Sequence, residues 1–329
     1  MTDRRTGEPV KVRFWGTRGT LPVAVTARQV RAKIANALRI AQGQSFASDA
    51  EAYGFIDSEI DFAAGATYGG ATSCVEIDAG EDAFFICDMG SGLQELGRDA
   101  AVRCRGGRPK KYNFFLSHMH WDHIMGFPSF LPASDYDSEI VIYACHGDAE
   151  EALRRQQEQI SFPSAFKFWD AKIRFEILEP GEETEVDGLQ VMAIRQHHPH
   201  DSFGYRFRNA AGRTVVYSTD SEHKVDDMDS EASFVEFFRG ADLVICDTMY
   251  SLADSNSTKE DWGHSSNLVA IDLCHQANAR RLALFHHDPF QDDEEIQRMH
   301  EDSLRYEKLS RDGAPLEVLC AYDGLEVSL

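Results

Sequence analysis

The sequence predicts a layered α/β domain, and three observations carry that expectation. Short apolar runs rich in β-branched and aromatic residues recur along the 329 residues. Helical periodicities are interleaved with them, and turn-forming residues separate the two kinds of segment. Strands sheltered by helices on both sides make a layered arrangement. With 43% hydrophobic residues, the chain can bury a substantial core.

The elements are expected in this order. KVRFW (11–15) is the first strand. GTRGTLPV follows, and then a helical pattern over 27–42. That helix opens a largely helical segment, 27–62, which separates GTRGTLPV from TYGGATSC. The segment reads as an insertion near the N-terminus, either a surface excursion or a rim over a site. The next strands are CVEIDA (74–79), AFFIC (83–87), YNFFL (112–116) and IVIYA (140–144). A helix over 148–160 precedes KIRFEIL (172–178), LQVMAI (189–194), GYRFR (204–208), TVVYS (214–218) and DLVIC (242–246). A helix over 265–277, the strand RLALF (281–285) and a helix over 292–309 complete the series. There is no internal repeat and no Pro-, Gly- or Ser-rich linker, so 1–329 is expected to form one domain.

Composition removes several function classes. The formal net charge is −22, and the only short basic patch is RCRGGRPKK (103–111), which reads as a solvated loop. Long nucleic acids are gripped through phosphate contacts that need a basic face. No extended nucleic-acid footprint is therefore expected. A small phosphate ester remains compatible, because a metal ion can supply local positive charge. No run of apolar residues is long enough to span a membrane, and the first residues lack a secretory apolar segment. The seven cysteines are scattered, with no CxxC pair. They suit small buried hydrophobes in a reducing compartment, which predicts a cytoplasmic protein.

The chemistry is concentrated at strand ends. Directly after YNFFL comes SHMHWDH, with His118, His120, Asp122 and His123 within six residues. While the chain stays extended, His118 and His120 project to one side. Asp122 and His123 then fall where a turn or helix begins. Such a segment can give two nitrogens to one ion and a carboxylate plus a nitrogen to another. Further ligand-type residues end other apolar runs: His197, His198 and His200 after LQVMAI, Asp220 after TVVYS, and His286 and His287 after RLALF. One edge of the sheet would be lined with ligands.

HxHxDH followed by a later His, Asp and His resembles the metallo-β-lactamase superfamily. The resemblance implies a four-layer αββα sandwich with a di-metal site at one edge. It implies that His118, His120 and His198 hold one ion, that Asp122, His123 and His286 hold the other, and that Asp220 bridges both. It prefers His198 over His197 for its HP…GYR context, and His286 over His287 because His286 directly follows the strand. Asp88, in CDMGSG, matches a strand-end Asp that orients a ligand His. Imidazole and carboxylate ligands without thiolate suit zinc first, with manganese or iron as alternatives.

The branch follows from three further likenesses. A carboxylate at Asp220 suits a paired-metal hydrolase, whereas the commonest zinc β-lactamases carry Cys or His there. His264, in DWGHSSN, resembles the HST-type histidine of the ribonuclease Z and phosphodiesterase branch. FGYRF and FWGTRGTLPV are similar to that branch as well. YGGATSC departs from the usual YGGNTSC, since Ala71 replaces the Asn. The resemblance implies a phosphodiesterase acting on a small phosphodiester, such as a cyclic nucleotide or cyclic phosphate. Two ions about 3.5–4 Å apart would generate a bridging hydroxide that attacks phosphorus. His264 and Asp122 would take part in catalysis, with His264 protonating the leaving oxygen. Arg18, in GTRG, is a candidate contact to a phosphate oxygen. The alternatives are a ribonuclease Z-like RNA-processing enzyme, or a thioester or lactone hydrolase on the same fold. Similar enzymes are often dimers, so a homodimer is compatible.

Overall fold

The pleat sets the architecture. A computed structural model describes residues 9–80, 82–160, 162–163, 171–223, 228–251 and 261–329. In these residues alternate side chains of each central strand enter different cores. Phe85 and Cys87 face one core while Phe84 and Ile86 face another, and Phe115 is likewise opposed to Phe114 and Leu116. Strands buried on both faces read as continuous apolar runs, which is why they are visible in sequence.

One sheet is built from β1 Lys11–Gly16, β2 Cys74–Asp78, β3 Phe84–Cys87, β4 Lys111–Leu116, β5 Glu139–Ala144, β6 Lys172–Ile177 and β14 Glu326–Ser328. Its strand order is β14–β1–β2–β3–β4–β5–β6. The second is built from β7 Glu183–Val186, β8 Leu189–Gln196, β9 Ser202–Arg208, β10 Thr214–Ser218, β11 Leu243–Asp247, β12 Arg281–Phe285 and β13 Glu317–Cys320. Its order is β13–β12–β11–β10–β9–β8–β7. The sheets face each other across a core that includes Phe14, Phe85, Phe115, Tyr205, Tyr217, Ile245 and Phe285.

Helices cover both outer faces. Helix α4 (Leu93–Arg105) and α6 (Ala149–Gln156) close the first sheet with Leu93, Leu96, Ala100 and Leu153. Helix α7 (Met228–Phe238) and α8 (Asn267–Gln276) close the second with Phe234, Phe238, Ile271 and Cys274. Helix α9 (Asp293–Ser310) follows β12 and opens with a capping box from Asp292 and Glu295. The fold is the four-layer αββα sandwich.

The segment 27–62 is helical as expected. It comprises α1 (Ala27–Ile40) and α2 (Asp49–Glu59), neither of which buries a side chain, and leads into the short α3 (Phe62–Gly65). Lys33 ties α1 to the body through Asp293 at 2.8 Å and through the carbonyls of Ala63 and Ala66.

The strands that matter chemically share an edge. In the first sheet, β3 to β6 are parallel, and in the second, β10 to β13 are parallel. β8 is antiparallel to β9 and β9 to β10, so β8 ends on the same side as β10. Ligands collect beyond the carboxyl ends of such strands.

Candidate metal centre

The strand ends turn abruptly into the site. Asp88 follows β3, His286 follows β12, and Asp220 comes two residues after β10. All three hold left-handed backbone, at φ 59°, 64° and 51°. Non-glycine residues adopt that region at a cost, and the surroundings must hold them there. Here the turn redirects each side chain from the sheet into the gap between the two strand edges. His118 and His120 leave β4 directly, and the short helix α5 (Trp121–Ile124) carries Asp122 and His123. His198 lies in the turn between β8 and β9.

These residues form two sets around one carboxylate. His118, His120, His198 and Asp220 place ligand atoms within 4.8 Å of one another, and so do Asp122, His123 and His286. Asp220 Oδ2 lies 3.7 Å from His118 Nε2 and 3.6 Å from His198 Nε2. Asp220 Oδ1 lies 3.2 Å from both His123 Nε2 and His286 Nε2. One oxygen faces each set. Asp122 Oδ2 approaches His123 Nε2 at 3.1 Å and His286 Nε2 at 3.3 Å. His198 rather than His197 joins the cluster; His197 is exposed and lies beside the Phe234 ring. His286 rather than His287 joins it; His287 Nε2 donates to the Ala321 carbonyl at 2.8 Å.

The cluster fits divalent ions. His118 Nε2 and His123 Nε2 are buried, lie among the ligand atoms and have no hydrogen-bond partner. Such atoms are costly unless something binds them. Among the described residues, the ion pairs of Asp122 and Asp220 are with histidines alone. Burial opposes charge on His123, yet Asp122, Asp220 and Asp88 together hold its pKa well above the ordinary value. Burial and the neighbouring His123 keep His118 neutral, with its pKa well below the ordinary value. The site is therefore a carboxylate-rich nest short of positive charge. All seven cysteines are free and none is in these sets, so the donors are nitrogen and oxygen.

A ring of supporting contacts fixes the ligands. Asp88 accepts from His123 Nδ1 at 2.7 Å, from Ser117 N and Oγ at 2.8 Å, and from Tyr217 O–H at 2.7 Å. Tyr217 comes from the second sheet, so this carboxylate also ties the two sheets together. His198 Nδ1 donates to the Gly263 carbonyl at 2.9 Å. A side chain at Gly263 (φ 84°) would run into that imidazole at 2.2 Å. Thr20 N donates to Asp122 Oδ2 at 2.7 Å. Gly19 permits that approach, because a Cβ there would lie 2.5 Å from the His286 ring.

His264 sits between the two halves, its ring 5.2 Å from those of both His198 and His286. Its Nδ1 is 2.6 Å from Asp247 Oδ2. Burial lowers its pKa, but Asp247, with smaller help from Asp220 and Asp122, raises it to about 9. Asp247 is the functional residue the sequence reading missed. Its signal was available: a carboxylate ending DLVICD, in the position occupied by ligands after other strands. Arg18 is a correction. It is 2% exposed, and its guanidinium donates to the carbonyls of Gly69, Asp288 and Gln291 at 2.9–3.0 Å. Its donors staple loops together and are not turned to a substrate.

Fold and cluster together define a metal-dependent hydrolase of the metallo-β-lactamase fold. The chain belongs to the β-lactamase superfamily: the sequence profile described as "Beta-lactamase superfamily domain" matches residues 75–287. Ribonuclease Z of Oceanobacillus iheyensis is 23% identical over 229 residues, covering 54% of this chain and 72% of that protein. The metallo-β-lactamase fold protein YhfI from Bacillus subtilis superposes with a TM-score of 0.64 at 19% identity, over 98% of this chain and 100% of YhfI. A diphosphatase from the PhnP family superposes with a TM-score of 0.58 at 19% identity, over 97% of this chain and 98% of that one.

Proposed function

We propose that this protein is a di-metal phosphodiesterase acting on a small phosphodiester. The observation that carries the reading is Asp220, whose two oxygens face two separate ligand sets. His118, His120 and His198 would hold one ion, Asp122, His123 and His286 the other, and Asp220 both. Bound divalent ions lower the pKa of water and neutralise charge on phosphoryl oxygens. The relatives named ribonuclease Z and the diphosphatase neighbour support phosphorus as the centre attacked.

The chain's own residues supply the rest. Asp88 holds the His123 ring in place by accepting from Nδ1, which leaves Nε2 aimed at the cluster. Asp122 is held by the Thr20 backbone N–H. Asp247 engages His264 Nδ1, so Nε2 is the nitrogen that can pass a proton to the leaving oxygen. A small substrate is preferred over RNA because the charge is −22 and the short basic patch at 103–111 is the only one in the sequence.

His264→Ala tests the reading. It should retain metal and lose roughly 10²–10⁴-fold on a cyclic nucleotide, whose alkoxide leaving group needs a proton. On bis-p-nitrophenyl phosphate the loss should be far smaller. Equal losses on both substrates would assign His264 to substrate positioning and remove the general-acid role. Precursor tRNA and a thioester assayed in parallel separate the two alternative activities.

A further inference from the structure

Helix α1 is turned inside out. Val30, Ile34 and Leu38 recur every fourth position, which sets them on one face. A surface helix ordinarily turns such a stripe to the core. Here the three are 43%, 53% and 69% exposed. The half-buried positions are instead Gln29, Lys33, Asn36 and Ala37, so the helix meets the body mainly through polar side chains. Gln29, Lys33 and Asn36 line a cleft of about 300 Å³ together with Asp292 and Asp293. Lys33 reaches Asp293 at 2.8 Å.

The stripe is preformed. Thr26 and Gln29 make a capping box at the start of the helix, so its backbone is fixed before anything covers the apolar face. Two more apolar residues, Leu21 and Val25, are exposed on the segment that leads into it. Single exposed apolar residues are ordinary. A row at helical spacing, opposite the face that packs, is not a set of singles.

A second observation concerns charge. Helix α1 holds Arg28, Arg31, Lys33 and Arg39 and no acidic residue, in a chain whose formal net charge is −22. Of these four, Lys33 alone has an ion pair among the described residues. Arg28 and Arg31 are exposed. By the helical period Arg31 borders the apolar stripe and Arg28 lies just beyond it. A basic amphipathic helix with its apolar face outward is suited to an anionic surface.

We propose that α1 is a surface anchor that lays Val30, Ile34 and Leu38 on a bilayer rich in anionic lipid. The helix lies on the bilayer and does not cross it; among the described residues no helix is long and apolar enough to cross a membrane. Charge selects this occupant. A second copy paired about a two-fold axis would set the arginines of α1 against their own equivalents. A bilayer takes the aliphatic side chains without demanding shape complementarity, and its headgroups meet the guanidinium groups beside them. Repulsion from the rest of the acidic chain is screened over about 8 Å at physiological ionic strength, so the local charge governs the contact.

Vesicle sedimentation of the full chain tests it. Vesicles of mixed phosphatidylglycerol and phosphatidylcholine should capture the wild type, and vesicles of phosphatidylcholine alone should not. The double variant Ile34→Glu, Leu38→Glu should abolish capture. The double variant Arg28→Gln, Arg31→Gln should weaken it roughly 30-fold, as expected for about 1 kcal/mol per cation at about 1.4 kcal/mol per tenfold. All four positions are exposed, so circular dichroism and Tm should match the wild type in both variants. Capture by neither kind of vesicle, equal capture by both, or capture indifferent to both variants overturns the anchor. Light scattering reads the competing occupant. A wild-type dimer that the Ile34→Glu, Leu38→Glu variant converts to monomer, with no capture by lipid, would make the stripe a self-association face and overturn the proposal.

Discussion

Asp220 bears two costs at once. A buried carboxylate costs several kcal/mol unless it is paired, and this one also sits in a left-handed backbone turn at φ 51°. Both costs are borne at one position, 2% exposed, whose oxygens divide between two histidine sets. Asp220→Ala should therefore lose metal and activity together, measured by elemental analysis and turnover on the same preparation. Wild-type turnover with both ions retained would mean that another residue bridges. Asp88→Asn is a subtler probe. It keeps the shape but weakens the acceptor that orients His123, and should lower metal affinity about 10- to 100-fold with the fold intact. Unchanged affinity would reduce Asp88 to a structural tie between Ser117 and Tyr217. The motif SHMHWDH was legible because its ligands are contiguous and follow an apolar strand. The choice of His198 over His197 came only from the HP…GYR resemblance, because neighbours differ in which way one turn points and residue type alone does not show it. Arg18 misled for a related reason: sequence shows a guanidinium in a glycine loop but not the three carbonyls that occupy it.

At the scale of elements, α9 shows how a terminus is held. Glu307, near its end, accepts from Arg311 Nε and Nη2 at 2.9 and 2.7 Å and from Leu316 N at 3.0 Å. That carboxylate closes the helix and starts the path to β13. Hydrogen bonds from Arg311, working against burial, hold its pKa below the ordinary 4.5. A depressed carboxyl contributes stability that is present above the ordinary pKa and lost as pH falls through the folded value. Glu307→Gln should cost about 1–2 kcal/mol at neutral pH, and urea melts of variant and wild type should converge below pH 4.5. A gap that stays constant into acid would show that charge is irrelevant there. The central strands and capped helices were readable from period and caps. Helix α4 was not, since its buried stripe is Leu93, Leu96, Gly97 and Ala100. Gly97 is there because Phe130 packs against it, with 3.1 Å to a Cβ if one were added. Polar β7 and the three-residue β14 gave no alternation to read.

For the whole molecule, the site is a seam. Ligands from β4 and α5 belong to the first sheet, and those after β8, β10 and β12 belong to the second. Hydrogen bonds that involve no ion also join the two edges. Among the described residues they include the Tyr217–Asp88 bond, Tyr205 O–H to the Leu116 carbonyl at 2.5 Å, and Phe203 N to the Ser117 carbonyl at 3.0 Å. Ions bound by both sheets would add stability by mass action, about 4 kcal/mol at a thousandfold excess over Kd. Chelation should then lower Tm reversibly, and an unchanged Tm would place the ions outside this seam. The layered α/β class followed from interleaved strands and helices. Strand order did not, because a pattern of apolar runs says nothing about which neighbours pair across a crossover.

We propose that two ions held around Asp220 make this chain a phosphodiesterase. The direct test is to titrate zinc or manganese into chelated protein while following hydrolysis of bis-p-nitrophenyl phosphate. Activity should rise from baseline and level off at two equivalents per chain. A plateau at one equivalent, or no turnover at any loading, would rule out a paired-ion phosphodiesterase.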